Sequence, residues 1–193
     1  MNQVNQVNQG KLHILYGRSA VGKTTVQKML GKHMLQGVSC TTRPKRENEV
    51  EGIDYYFLTD EEFDKRNENG EFMEVVPYNN WKYATPYSSI DLSKGDYVLV
   101  TETEGFKQIR DKLGKENVIG IYLYVSDPWE LLKRSIDRQP HATEEQCNEI
   151  CRRFLSDKET FKEAEKLAIL KINNINTNDT VDIILRNIKN KSI

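Results

Sequence analysis

Nine consecutive residues carry the strongest chemical signal in the sequence: Gly17, Arg18, Ser19, Ala20, Val21, Gly22, Lys23, Thr24 and Thr25. They fit G-x-x-x-x-G-K-[ST], with the apolar run "LHILY" before them and the helix-like "VQKML" after them. In a strand–loop–helix setting, backbone N–H groups of such a loop and the positive end of the helix surround a polyphosphate. Lys23 then adds a point charge near the transferred group, and Thr24 offers a hydroxyl to Mg²⁺. An ordinary glycine turn would not need the lysine and the hydroxyl together.

A second cluster lies in "VSCTTRPKRENEVEGIDYYF", where Arg43, Lys45 and Arg46 stand with Tyr55 and Tyr56, and "NNWKYAT" adds Lys82, Tyr83 and Thr85. Guanidiniums and phenol hydroxyls converging on one point make a phosphate clamp. On this block alone a solvated charged loop explains the run equally well. Arg134, Arg138, Arg152 and Arg153 cluster around "KRSIDRQPHATEEQ".

The elements that must position these groups follow from apolar runs and helix starts. Strands are predicted at 11–16, Tyr97 to Thr101, Val118 to Val125 and Leu167 to Ile172, all near-continuous apolar runs that suit a parallel sheet covered on both faces. Val26, Met29, Leu30 and His33 recur at helical spacing after the glycine loop. Helices are announced by Asp127 with Pro128, by Thr143 with Gln146, and by Thr59 with Glu62, the last ending near Gly70. Cys147, Ile150, Cys151, Phe154 and Phe161 share one face of the helix after Thr143. The alternation predicts a three-layer α/β core with a parallel sheet, interrupted by a mixed α+β lobe at 38–89 and by helices at about 127–159. The core is then 11–37, 90–126 and 160–193, and residues 1–10, with their repeated "NQV", read as a flexible tail.

Composition narrows the classes. The 193 residues are 37% hydrophobic, enough for one core, and 28 Lys and Arg balance 29 Asp and Glu to a net charge of -1. That balance disfavours a dedicated nucleic-acid or membrane-surface binder. No apolar stretch reaches the roughly 18 residues of a membrane span, and the first residues lack secretory features. A cytoplasmic protein is expected, as a monomer or homodimer. Cys40, Cys147 and Cys151 show no zinc spacing and read as small buried hydrophobes, and none of the three histidines is assigned to catalysis.

The phosphate loop, "S-x-T-T-R-x-x-R-x-x-E-x-x-G-x-D-Y-x-F" from Ser39 to Phe57, Glu74 in "EFMEV", "YAT" at Tyr83 to Thr85 and the later arginines together resemble guanylate kinase, over 11–188. The resemblance implies a P-loop kinase fold with a helical lid at about 127–159 and phosphoryl transfer from ATP to GMP, and leaves open whether dGMP is also an acceptor. It implies that Gly17 to Thr25 bind ATP and that Thr24, with Glu102 as a second candidate, binds Mg²⁺. Lys23, Arg134, Arg138 and Arg153 would be catalytic. Ser39, Arg43, Arg46, Glu49, Tyr55, Glu74, Tyr83, Thr85 and Glu102 would bind GMP, with Arg43, Arg46, Tyr55 and Tyr83 on its phosphate and Glu74, Ser39 and Thr85 on guanine. The chemistry is consistent, because a carboxylate accepts from guanine N1–H and N2–H side by side while adenine has an acceptor at N1. The chain departs from the family pattern at Val100, where an acid is usual, at Asn48 and Ala84, where glycines are usual, and in the place of the proline in "TTRPKR". Related domains serve as non-catalytic interaction modules, and a same-fold kinase for another small phosphate ester is a further alternative. The intact loop and the Glu74 set oppose these two in turn.

Overall fold

The first apolar run forms β1 (Leu12–Tyr16), buried at all five positions, in a computed structural model that describes residues 9–78, 80–138 and 141–190. In chain order follow β2 (Leu35–Gln36), β3 (Cys40–Thr41), β4 (Tyr56–Phe57), β5 (Phe72–Tyr78), β6 (Trp81–Pro86), β7 (Tyr97–Val100), β8 (Val118–Tyr124) and β9 (Leu170–Asn173). The helices are α1 (Lys23–Leu30), α2 (Asp60–Glu68), α3 (Thr103–Leu113), α4 (Pro128–Asp137), α5 (Glu144–Ala164) and α6 (Thr177–Lys189).

Five strands pair in parallel in the order β2-β7-β1-β8-β9. Side chains of a strand alternate between faces, and β1 shows the consequence. Leu15 packs with Val26 and Leu30 of α1 and Val181 and Ile184 of α6. Leu12, Ile14 and Tyr16 pack with Phe106 and Ile109 of α3 and with Phe161 and Ala164 of α5. The result is the predicted three-layer α/β core.

The segment between β2 and β7 builds its own four-stranded sheet, β4-β3-β6-β5, around Cys40, Phe63, Phe72 and Ala84. Its one α-helix, α2, starts at a capping box of Thr59 and Glu62, as the sequence announced. α3 carries this sheet: the Gln108 amide donates to Val75 O and accepts from Val75 N. Gly105 permits the approach, since a Cβ there would stand 2.2 Å from Thr101 Oγ1 and 3.1 Å from Glu74 Cγ.

The structure corrects several details. The last predicted strand begins only at Leu170, where pairing with Ile121 of β8 starts; Glu165–Leu167 is a 3₁₀ turn that takes the chain out of α5. β2 is two exposed residues at the sheet edge and has no apolar pattern to read. α1 stops at Leu30, so His33 lies beyond it. Cys40 is buried, but Cys147 and Cys151 are exposed, because α5 turns Ile150, Arg153, Phe154 and Asp157 inward and leaves the cysteine edge to solvent. Ala84 lies in β6 without a positive φ, so it needs no glycine. Of the expected tail, residues 1–8 lie outside the described residues, while Gly10 is already buried and donates to Leu92 O at 2.9 Å. None of the described helices is long and apolar enough to cross a membrane.

Asn174, just after β9, braces the glycine loop from below. It is 1% exposed; its Nδ2 donates to Val21 O at 2.7 Å and its Oδ1 accepts from Thr180 Oγ1 at 2.9 Å. Asn174→Ala leaves two buried groups without partners and is expected to lower stability by about 1–3 kcal/mol. Urea unfolding checks this; a change below about 0.5 kcal/mol, the scale of ordinary surface substitutions, would show that the loop does not depend on the brace.

Candidate active site

The loop between β1 and α1 has the backbone of an anion cradle. Gly17 (φ 144), Ala20 (φ 62) and Gly22 (φ 93) turn it. A Cβ at Gly17 would stand 2.1 Å from Leu123 O, so only glycine lets the loop leave the sheet here. Ala20 holds a left-handed conformation that costs an alanine about 1–2 kcal/mol, strain of the kind stored at functional sites. α1 begins at Gly22 with no side-chain cap and no acidic residue in its first turn, which leaves its N-terminal N–H groups to an anion.

Lys23 Nζ donates to Gly17 O and, at 3.1 Å, to Arg18 O, with Glu102 Oε1 4.0 Å away. Burial pushes the ammonium below its ordinary pKa, the charges of Glu102 and Asp157 push it back, and those of Arg138 and Arg153 lower it further. Thr24 and Thr25 line the same cleft, a cavity of about 710 Å³ that reaches from the loop to the four-stranded sheet.

Across the cleft, Arg43 is 6% exposed and held from several sides. Its Nη1 donates to Pro44 O at 2.7 Å, its Nη2 to Glu49 Oε1 at 2.7 Å, and its guanidinium lies over the Tyr55 and Phe57 rings. Glu49 also accepts from Arg46 N at 2.9 Å. Glu49 therefore ties the Arg43 guanidinium to the backbone at Arg46. Arg46, Tyr55 and Tyr83 line the cleft beside Arg43. Lys45 and Tyr56 are exposed and do not line it, and Lys82 is taken by Asp64 and Asp60 of α2, at 2.6 and 3.2 Å.

Glu74 sits at the back of this side, 2% exposed. Its Oε2 accepts from Thr85 N at 2.5 Å and its Oε1 from Thr85 Oγ1 at 2.8 Å, while Ser39 Oγ is 3.0 Å from Thr85 Oγ1. Thr85 spends its proton on Glu74, so Ser39 donates to Thr85 in this arrangement. Ser39 and Glu74 line the cleft; Thr85, fully buried, orders them from behind. Val100 also lines the cleft, without charge.

The predicted later arginines separate. Arg138 and Arg153 line the cleft. Enclosure depresses the Arg138 guanidinium first, and the like charges of Arg46 and Arg153 depress it further. Arg153 Nε donates to Tyr78 Oη at 3.0 Å. Arg134, in contrast, is turned away: it binds Glu130 at 2.8 Å, Asn174 O at 2.9 Å and Ile175 O at 3.1 Å, and so ties α4 to the end of β9. Arg152 pairs with Glu149 at 2.7 Å.

A glycine loop on a parallel sheet, facing a second sheet that carries clamped arginines and a buried carboxylate, defines a P-loop kinase. A family model described as guanylate kinase matches residues 9–191, and the chain belongs to that family. The guanylate kinase of Prochlorococcus marinus is 41% identical over 68% of this chain and 73% of its own length. That of Clostridium perfringens is 32% identical over 98% of this chain and 85% of its own length. The crystal structure of guanylate kinase from Anaplasma phagocytophilum superposes with a TM-score of 0.75 over 95% of this chain and 86% of that one; at 24% identity it speaks to the fold.

Burial pushes the Glu74 carboxyl up to about 7, against the opposing hydrogen bonds of Thr85 and Thr101. The folded protein thus prefers the protonated form, and this contribution to stability is present at low pH and lost as pH rises through 7, since an unfolded glutamate ionises near 4.3. Between about pH 5.5 and about pH 8, wild type should lose stability relative to Glu74→Gln, which has no proton to lose. Urea unfolding of both proteins at the two pH values checks this; parallel behaviour would show that the carboxyl titrates normally.

Proposed function

We propose that the chain transfers the terminal phosphoryl group of ATP to GMP, giving ADP and GDP. The observation that carries this reading is the convergence of Lys23, Arg46, Arg138 and Arg153 on one cleft, between an uncapped helix N-terminus and a carboxylate able to read guanine. So much positive charge in one enclosure is costly unless a polyanion enters it.

On this reading the loop N–H groups from Ala20 to Thr25 hold the donor phosphates, Ser19 N–H being kept by Asp157, and Lys23 turns from its own loop carbonyls to the transferring group. Thr24 and Glu102 stand on the cleft wall near Lys23, a hydroxyl and a carboxylate of the kind Mg²⁺ takes when phosphates and water complete its shell. Bound there, the ion would neutralise charge between the two terminal phosphates. Arg43 and Arg46, with Tyr55 and Tyr83, hold the GMP phosphate. That phosphate, largely ionised at neutral pH, supplies the attacking oxygen without a general base. Arg138 and Arg153 face the transferring group and help exclude water, which would otherwise take it.

Glu74 accepts from guanine N1–H and N2–H, and Ser39 turns its proton from Thr85 toward O6. Adenine would leave the carboxylate unpaired, a mismatch worth roughly 10⁴-fold in discrimination for sites built on such bonds. The residues 38–89 act as the acceptor lobe and the helices at about 127–159 cover the donor side as the lid, with α5 held to the phosphate loop at Phe154 and Asp157. A cytoplasmic setting, where ATP and GMP meet, suits this activity.

An ADP-release assay across nucleoside monophosphates tests the reading. GMP should be the preferred acceptor, Lys23→Ala should lower turnover by about 10² to 10³, and Glu74→Gln should collapse the ratio of GMP to AMP efficiency. Comparable turnover of all monophosphates, or a Lys23→Ala protein within a few-fold of wild type, would remove the assignment.

A further inference from the structure

α5 touches the phosphate loop at two points. Asp157, 6% exposed, accepts from Ser19 N at 2.8 Å. Arg18 Nη2 donates to Phe154 O at 2.6 Å, and its guanidinium lies 5.0 Å from the centre of the Phe154 ring. One contact is made by the backbone of the loop to a side chain of the helix, the other by a side chain of the loop to the backbone of the helix. A helix held by both can neither slide along the loop nor roll against it.

Arg153 precedes Asp157 by four residues, so the two project from the same face one turn apart, about 6 Å along the axis. Ile150, Arg153, Phe154 and Asp157 all line the cleft. We propose that Asp157 and Arg18 are positioning residues for phosphoryl transfer: they clasp α5 to the phosphate loop and thereby set the distance from the loop to the Arg153 guanidinium. The clasp does not depend on Tyr78. The Arg153–Tyr78 hydrogen bond is a side-chain contact that the arginine exchanges for the phosphoryl group, while the helix that carries it stays registered to the loop. A misplacement of this helix by about 1 Å would be enough to matter, because transfer between two phosphates tolerates little error in geometry. The Asp157 charge also helps to keep Lys23 protonated.

The catalytic part of this inference rests on the kinase reading above; the clasp itself does not. Amide exchange of the protein without nucleotide tests the clasp. Asp157→Ala should speed exchange in 17–20 and 150–157 by about threefold or more, local opening of the kind exchange resolves, while Asp157→Asn, which keeps an acceptor oxygen for Ser19 N–H, should not. Unchanged exchange in the alanine variant overturns the clasp whatever the substrate. Steady-state kinetics tests positioning. Asp157→Ala should lower kcat about tenfold with KM for GMP within about twofold, and asparagine should restore most of it. In an Arg153→Ala background, Asp157→Ala should change kcat by clearly less than the tenfold it costs in wild type, because the share of its effect that passes through Arg153 is gone and only its charge on Lys23 remains. Effects that multiply, or a full loss in the asparagine variant, would overturn the positioning role. Failure of wild type to use GMP would count against the kinase reading and leave the exchange result standing.

Discussion

An ammonium enclosed by its own loop is the constraint to which the rest of the structure answers. Lys23 keeps only 12% of its side chain exposed, with burial and two guanidiniums working against its charge. Two loop carbonyls, Glu102 and Asp157 hold the charge in place. That balance requires a loop that cannot relax. Gly17 presses against the Leu123 carbonyl, Asn174 holds the Val21 carbonyl, and Asp157 holds the Ser19 N–H.

The facing sheet follows the same rule with different parts. Arg43 is buried and immobilised by Glu49, by a carbonyl and by two rings, and Glu74 is buried and immobilised by Thr85. Arg43 keeps its charge in the interior by its bonds to Glu49 and Pro44 O, while burial outweighs the hydrogen bonds at Glu74 and lifts its carboxyl to about 7. Gln108 and Gly105 of α3 set the height of this sheet above the core. The separation between Lys23 and Arg43 is therefore built into the packing of α3 and not into a flexible connection.

What could be read from the chain beforehand was local. The glycine loop, the capping boxes at Thr59 and Thr143 and the start of α4 at Asp127 each lie within a few residues of sequence, and the structure shows all of them. The likeness in the Ser39–Phe57 block pointed to Arg43 and Glu49 but not to their mutual bond. The contacts that stiffen the loop were not legible, since Asn174 reaches Val21 across 153 residues and Asp157 reaches Ser19 across 138. No periodicity encodes such pairs. Arg134 misled for a related reason: a guanidinium on a helix can reach either toward the cleft or back to carbonyls, and here the carbonyls after β9 take it. Cys147 and Cys151 followed helical spacing correctly, yet spacing names a stripe and not what covers it.

Donor and acceptor halves that share one cleft, at a separation fixed by α3 and the loop, form the central claim. A calorimetric titration with adenosine and guanosine joined through a pentaphosphate tests it most directly. One molecule should bind per chain, displace both ATP and GMP, and bind far more tightly than either nucleotide, since the second half binds at the effective concentration set by the first. Displacement of only one nucleotide, or affinity no greater than that of ATP alone, would show that the two sites do not face each other across a single cleft.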